Sequence, residues 1–138
     1  MIDVRALRLL LGLSRLPDQG AVDAIERAAV EARVPVSLAL AVCPLESGLG
    51  TRGAILCGCY VRREGVLDVS VEAQARCVAG TLRAGVRSCG SWAASLRRYR
   101  YGLADHGCPR ADPRRYVDRV SVYEGALALA TGGTPLVM

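Results

Sequence analysis

Residues 39–50 read A-L-A-V-C-P-L-E-S-G-L-G. An apolar helical run carries one acid, Glu46, to its end, and Ser47, Gly48 and Gly50 then break the helix. The rest of the chain has to be organised around this stretch. A carboxylate held against an apolar wall is disfavoured as an anion and can serve as a proton donor near neutral pH. A solvated acid at a helix C-terminus is the plainer reading of Glu46. The helix dipole weighs against it by a few tenths of a kcal/mol, because an anion is unfavourable at that end.

At 138 residues the chain is one domain, 1–138, long enough for a proper core. No apolar run reaches the roughly 18–20 residues of a membrane span. The net charge is +5, and all eighteen basic residues are Arg. That balance favours an anionic partner: nucleic acid, a bacterial cell wall or a membrane surface. No nucleic-acid recognition motif accompanies it, so a basic helical nucleic-acid binder is not expected. Six cysteines, an even number, point to disulfides and an oxidising destination. They contain no C-x-x-C, and His106 is the one histidine, too few for a mixed Cys/His zinc site. No metal is therefore expected, with a four-thiolate site using Cys57 and Cys59 as the alternative.

In chain order, residues 3–14 read as an amphipathic, peripheral helix with Val4, Leu7 and Leu10 or Leu11 on one face. Arg5, Arg8 and Asp3 make the same stretch a poor signal peptide. A helix over about 20–33 has Val22, Ile25, Ala29 and Val30 on its apolar face. Ser37 is expected to cap the helix that carries Glu46, and Pro44 to kink it or break its last turn. From Gly48 to Asp68 no helical period persists, and Ile55, Leu56, Tyr60 and Val61 allow at most a short hairpin. Ser70 caps a helix over 71–86, with Gly85 and Gly90 bracketing its end. Ser91 caps another over 92–101, stopped by Gly102. The segment 103–111 reads as loop. Asp112-Pro113 is an N-cap with proline at N1, starting a last helix that runs to about 130. The fold class is mostly α: five or six helices around one long loop.

The order of these features resembles the lysozyme-like (goose-type) lytic transglycosylases of bacteria and their phages. The carriers are V-P-V-S-L-A-L-A-V-C-P-L-E-S-G, then Arg98-Tyr99-Arg100-Tyr101-Gly102 where the family writes A-Y-N-A-G, then Tyr116-Val117. Gln74 stands where the family has Asn. A subgroup with L-C-G after the glutamate matches Leu56-Cys57-Gly58, Cys89 and Cys108. The family's G-L-M-Q is replaced by I-L-C-G-C-Y, and the interval from Glu46 to Tyr99 is shorter than usual. The resemblance spans about residues 25–127 and implies Glu46 as catalytic acid and base. It implies Tyr99, Tyr116, Gln74 and Ser47 as substrate-side residues, with Tyr99 and Tyr116 reading equally as core tyrosines on amphipathic stripes. Trp92 reads as core, and Arg97, Arg98 and Arg100 as a solvated face or an anionic-glycan contact.

The implied reaction needs one carboxylate and no cofactor. Glu46 would protonate the oxygen leaving from N-acetylmuramic acid and then accept the proton of that sugar's 6-hydroxyl, leaving a 1,6-anhydro end. The partner would be peptidoglycan glycan strands. A non-catalytic lysozyme-like module of a phage tail or secretion machine is the alternative. Cys89 and Cys108 flank the helix over 92–102 and are expected to pair, closing a loop of about twenty residues. Cys57 or Cys59 would pair with Cys43 or Cys77, in one of three connectivities. Cysteines suited to oxidation, a poor signal peptide and basic charge together suit a phage particle, with a tail protein meeting the wall in the periplasm. A periplasmic or secreted bacterial enzyme is the rival.

Overall fold

The computed structural model describes residues 2–51, 56–102 and 107–138. Among them are six α-helices: α1 (Val4–Leu10), α2 (Gln19–Ala32), α3 (Val36–Ser47), α4 (Val71–Cys89), α5 (Trp92–Tyr101) and α6 (Tyr116–Ala130). A small hairpin, β1 (Val61–Arg63) and β2 (Val66–Asp68), lies between α3 and α4. Ile55 and His106 fall outside the described residues.

The apolar run at 38–43 decides the architecture. Every residue from Leu38 to Cys43 is fully buried, so α3 has no solvent face over that length. It needs neighbours on all sides, and α2, α4 and α6 supply them. Amphipathic partners then close the shell: α2 packs on α4, α4 on α5, α5 on α6, and α1 on α6. Leu7 of α1 is itself core. Val30, expected on the buried face of α2, is 68% exposed instead. Its neighbour Ala29 is fully buried, and the turn of the helix between the two carries Val30 off the packed face.

Side-chain caps start four helices. Asp3, Asp18, Ser70 and Ser91 accept from Arg5, Ala21, Ala73 and Ala94 N–H groups. Ser37 does not cap α3, which begins one residue earlier behind Pro35. Its hydroxyl donates at 2.6 Å to Glu124 of α6. Pro44 leaves the α3 assignment continuous to Ser47. Proline has no N–H to give to the Leu40 carbonyl, so that one rung of α3 is absent.

Gly85 does not end its helix, since α4 continues to Cys89. Its missing side chain lets α5 close in, because a Cβ there would lie 2.9 Å from Ser95 Cα. Ser95 adds a hydrogen bond of 2.6 Å to the Leu82 carbonyl. The hairpin is shifted from the expected residues: Val61 pairs with Asp68 and Arg63 with Val66. Glu64 and Gly65, at φ 51° and 79°, make its two-residue turn. The last helix starts at Tyr116, three residues later than expected. Pro113–Arg115 forms a 3-10 turn, and Arg114 and Arg115 have φ of 52° and 55°. Asp112 reaches past this turn to accept from Val117 N–H at 3.0 and 3.1 Å.

All six cysteines are oxidised, as Cys43–Cys57, Cys59–Cys77 and Cys89–Cys108. The four-thiolate alternative is thereby overturned, because no thiolate is left to bind zinc.

Candidate active site

Glu46 stands one residue before the end of α3, where the fully buried run gives way to partly exposed residues. It borders a cleft of about 340 Å³ together with Gly58, Cys59, Tyr60, Cys77, Thr81, Tyr99, Arg100 and Gly102. Four segments therefore meet there: the end of α3, the segment 58–60, one face of α4 and the end of α5. Among the described residues Glu46 is the one carboxylate in that lining, and Arg100 the one cation.

α6 adds the residue that orients the acid. The Tyr116 hydroxyl donates to Glu46 Oε1 at 3.2 Å. Tyr116 is buried, and the Arg100 guanidinium stands over its ring at 6.0 Å from the centroid. Tyr99, on α5, donates at 2.7 Å to the Cys57 carbonyl. Burial first, and then the negative charge of Glu46, push both phenols well above the ordinary tyrosine value. They stay protonated and act as donors.

The segment opposite the acid is held at nearly every residue. The Leu56 N–H donates to Gln74 Oε1 at 2.8 Å, and the Leu56 carbonyl accepts from the Ser47 hydroxyl. Cys57 is bonded to Cys43 of α3 and held by Tyr99, while Cys59 is bonded to Cys77 of α4. Gly58, between the two bridges, has φ +71°, and a Cβ there would lie 2.8 Å from Glu46 Oε2. Only glycine fits both the backbone and the space. The two disulfides thus press the C-G-C backbone against the acid from two different helices.

The substrate-side residues read from the sequence divide. Tyr99 lines the cleft and Tyr116 touches Glu46. Gln74 has no exposed surface, and its amide donates to the Val69 carbonyl at 2.9 Å while accepting from Leu56. It positions the loop and is not among the described residues that line the cleft. Ser47 likewise serves the Leu56 backbone. Trp92 packs against the core. Cys89–Cys108 lies away from the cleft lining, joining the end of α4 to the segment that follows α5.

Gly58, Thr81 and the paired Cys59–Cys77 were not legible as cleft residues. The nearest signal is the C-G-C spelling itself: cysteines two residues apart, bonded to different helices, force the residue between them into a fixed place. Comparison with family models, curated proteins and solved structures finds no match to this chain. What the fold and cleft define on their own is a disulfide-stapled helical domain presenting one oriented carboxylate in an open cleft.

Proposed function

We propose that this protein is a peptidoglycan lytic transglycosylase of lysozyme-like type, with Glu46 as its single acid and base. The observation that carries the reading is the carboxylate of the cleft, the one among the described residues that line it, hydrogen-bonded by a buried tyrosine. Hydrolysis of a glycoside ordinarily uses two carboxylates, one as acid and one as nucleophile or base. With one, the nucleophile has to come from the substrate.

Glu46 gives its proton to the glycosidic oxygen as the bond from C1 of N-acetylmuramic acid breaks. The resulting carboxylate then takes the proton from the 6-hydroxyl of the same sugar, whose oxygen bonds to C1. The products are a shortened strand with a 1,6-anhydro end and a strand with a free hydroxyl, and Glu46 is again protonated. Tethering the attacking oxygen supplies the high effective molarity of an intramolecular step. Tyr116 donates to Oε1 of the acid, which leaves Oε2 to carry the proton. Tyr60, half exposed at the mouth, provides an aromatic face for a sugar ring.

The setting we favour is a phage particle whose tail or ejected protein meets the wall in the periplasm, where the three disulfides persist. A second reading, a non-catalytic wall-binding module, is favoured by one observation. The segment facing Glu46 is a rigid C-G-C closed on the acid, where the resembling family has G-L-M-Q. Digestion of purified peptidoglycan separates the two. The enzyme releases anhydromuropeptides detectable by mass spectrometry, and Glu46→Gln abolishes that release with the melting temperature within a few degrees of wild type. Binding of peptidoglycan with no anhydro product from either form would establish the module instead.

A further inference from the structure

The three disulfides differ in what surrounds them. Cys43 and Cys57 are fully buried in the packing around α3. Cys89–Cys108 lies away from the cleft lining. Cys59–Cys77 is the bridge whose two residues both line the cleft, and Cys77 is partly exposed. Thiol–disulfide exchange depends on access, so a reductant entering the open cleft meets this bridge while Cys43–Cys57 is shielded.

The same bridge completes the clamp on the acid. Upstream of Gly58, the segment has four ties: Cys43, Gln74, Ser47 and Tyr99 hold Leu56 and Cys57. Downstream, Cys59 is tied to α4 by its bridge and by a contact of 3.7 Å between its Sγ and Thr81 Oγ1. Opening the bridge removes the downstream clamp and leaves the upstream ties, so the change is local. Gly58 can then draw back, and Glu46 loses the surface it packs against, with only a bond of 3.2 Å to Tyr116 to orient it.

We propose that Cys59–Cys77 is a redox switch of the cleft. Oxidised, it holds Gly58 against Glu46 and keeps the acid in place; reduced by a dithiol of the thioredoxin class, it releases both. One thiolate of the reductant attacks a sulfur of the bridge, giving a mixed disulfide and one cysteine thiolate. The second reductant thiol then displaces the other cysteine, so two electrons and two protons pass to Cys59 and Cys77 and the reductant leaves as a disulfide. The functional consequence rests on Glu46 being the acid: the domain is silent in a reducing compartment and competent in an oxidising one.

The test reduces the folded chain stepwise with dithiothreitol, traps free thiols with iodoacetamide and maps them by mass spectrometry. In untrapped samples, the Glu46 carboxyl carbon is followed by NMR and anhydromuropeptide release by product analysis. The expected result is that Cys59 and Cys77 become free while Cys43–Cys57 stays intact and helical circular dichroism is kept. The Glu46 resonance then moves, and release falls at least tenfold and returns on reoxidation. Replacing Cys89 and Cys108 together by Ser removes the bridge away from the cleft and should preserve this whole response. If the oxidised chain releases no anhydro product, the proposed function fails, and the Glu46 resonance still decides the switch. A resonance unmoved by reduction of Cys59–Cys77 overturns the proposal. Reduction that proceeds only with Cys43–Cys57, or only with loss of helix, makes the bridge a plain staple and overturns it equally.

Discussion

Replacing Gly58 by alanine should damage the site far more than the fold. Two costs can be worked from the geometry. The backbone at φ +71° is left-handed, which costs a non-glycine residue roughly 1–2 kcal/mol. The new methyl would also stand 2.8 Å from Glu46 Oε2, 3.1 Å from its Cβ and 3.2 Å from its Cγ. Rotating the carboxylate relieves only the first of these contacts. The loop cannot retreat freely, because both neighbours of Gly58 are bonded to helices. Glu46 must give way by about half an ångström, and its bond to Tyr116, already 3.2 Å, passes out of useful range. Gly65 provides the control: its φ is +79° and a Cβ there meets nothing within 4 Å. Gly65→Ala therefore carries the backbone cost alone, about 3–10 °C in melting temperature for a chain of this size. Gly58→Ala should melt lower still, and its release of anhydromuropeptides should fall about a hundredfold, the usual consequence of misplacing a catalytic group. Thermal melts and product analysis on the two variants decide the matter. If Gly58→Ala melts with Gly65→Ala and loses no more activity, the close packing on Glu46 does not hold the acid in place.

Non-reduced peptide mapping should recover Cys43–Cys57, Cys59–Cys77 and Cys89–Cys108; replacing Cys59 and Cys77 together by Ser should cost about 3 kcal/mol in chemical denaturation, the chain-entropy value for a loop of this size. Tyr99 and Tyr116 should keep their protons in the folded protein well above pH 10, when followed by ultraviolet absorbance. The unfolded chain loses those protons near pH 10 and so binds fewer than the native state, which means stability falls as pH rises beyond that point, by up to about 1.4 kcal/mol per unit for each phenol. Ser37→Ala should destabilise by about 1–3 kcal/mol in urea titration, because it strips one partner from Glu124, a carboxylate only 1% exposed whose other oxygen accepts from Leu136 N–H at 2.8 Å.

The helices were legible because their signals are local. Capping serines before 71 and 92 and the stop at Gly102 are set within one or two turns, and the structure keeps them. The placement of Glu46 at the end of an apolar run was legible for the same reason. Where the expectations failed, a distant partner won. Ser37 had the chemistry of a cap but found Glu124, 87 residues away. Gly85 had the look of a helix stop but serves the crossing of α5. Gln74 was aligned with a substrate contact, and the structure uses its amide to hold Leu56.

The sequence by itself therefore determined a mostly helical chain, an acid delivered to a helix end, and cysteines suited to oxidation. The Cys89–Cys108 pair was expected from the sequence and is present; only the tertiary structure decided how Cys43, Cys57, Cys59 and Cys77 pair, that Tyr116 reaches Glu46 across 70 residues, and that Gly58 lies against the acid. The physical reason is that periodicity states which face of an element is buried and nothing about its neighbour. A carboxylate, a phenol and a glycine become a site only when packing brings three separate segments within hydrogen-bonding distance.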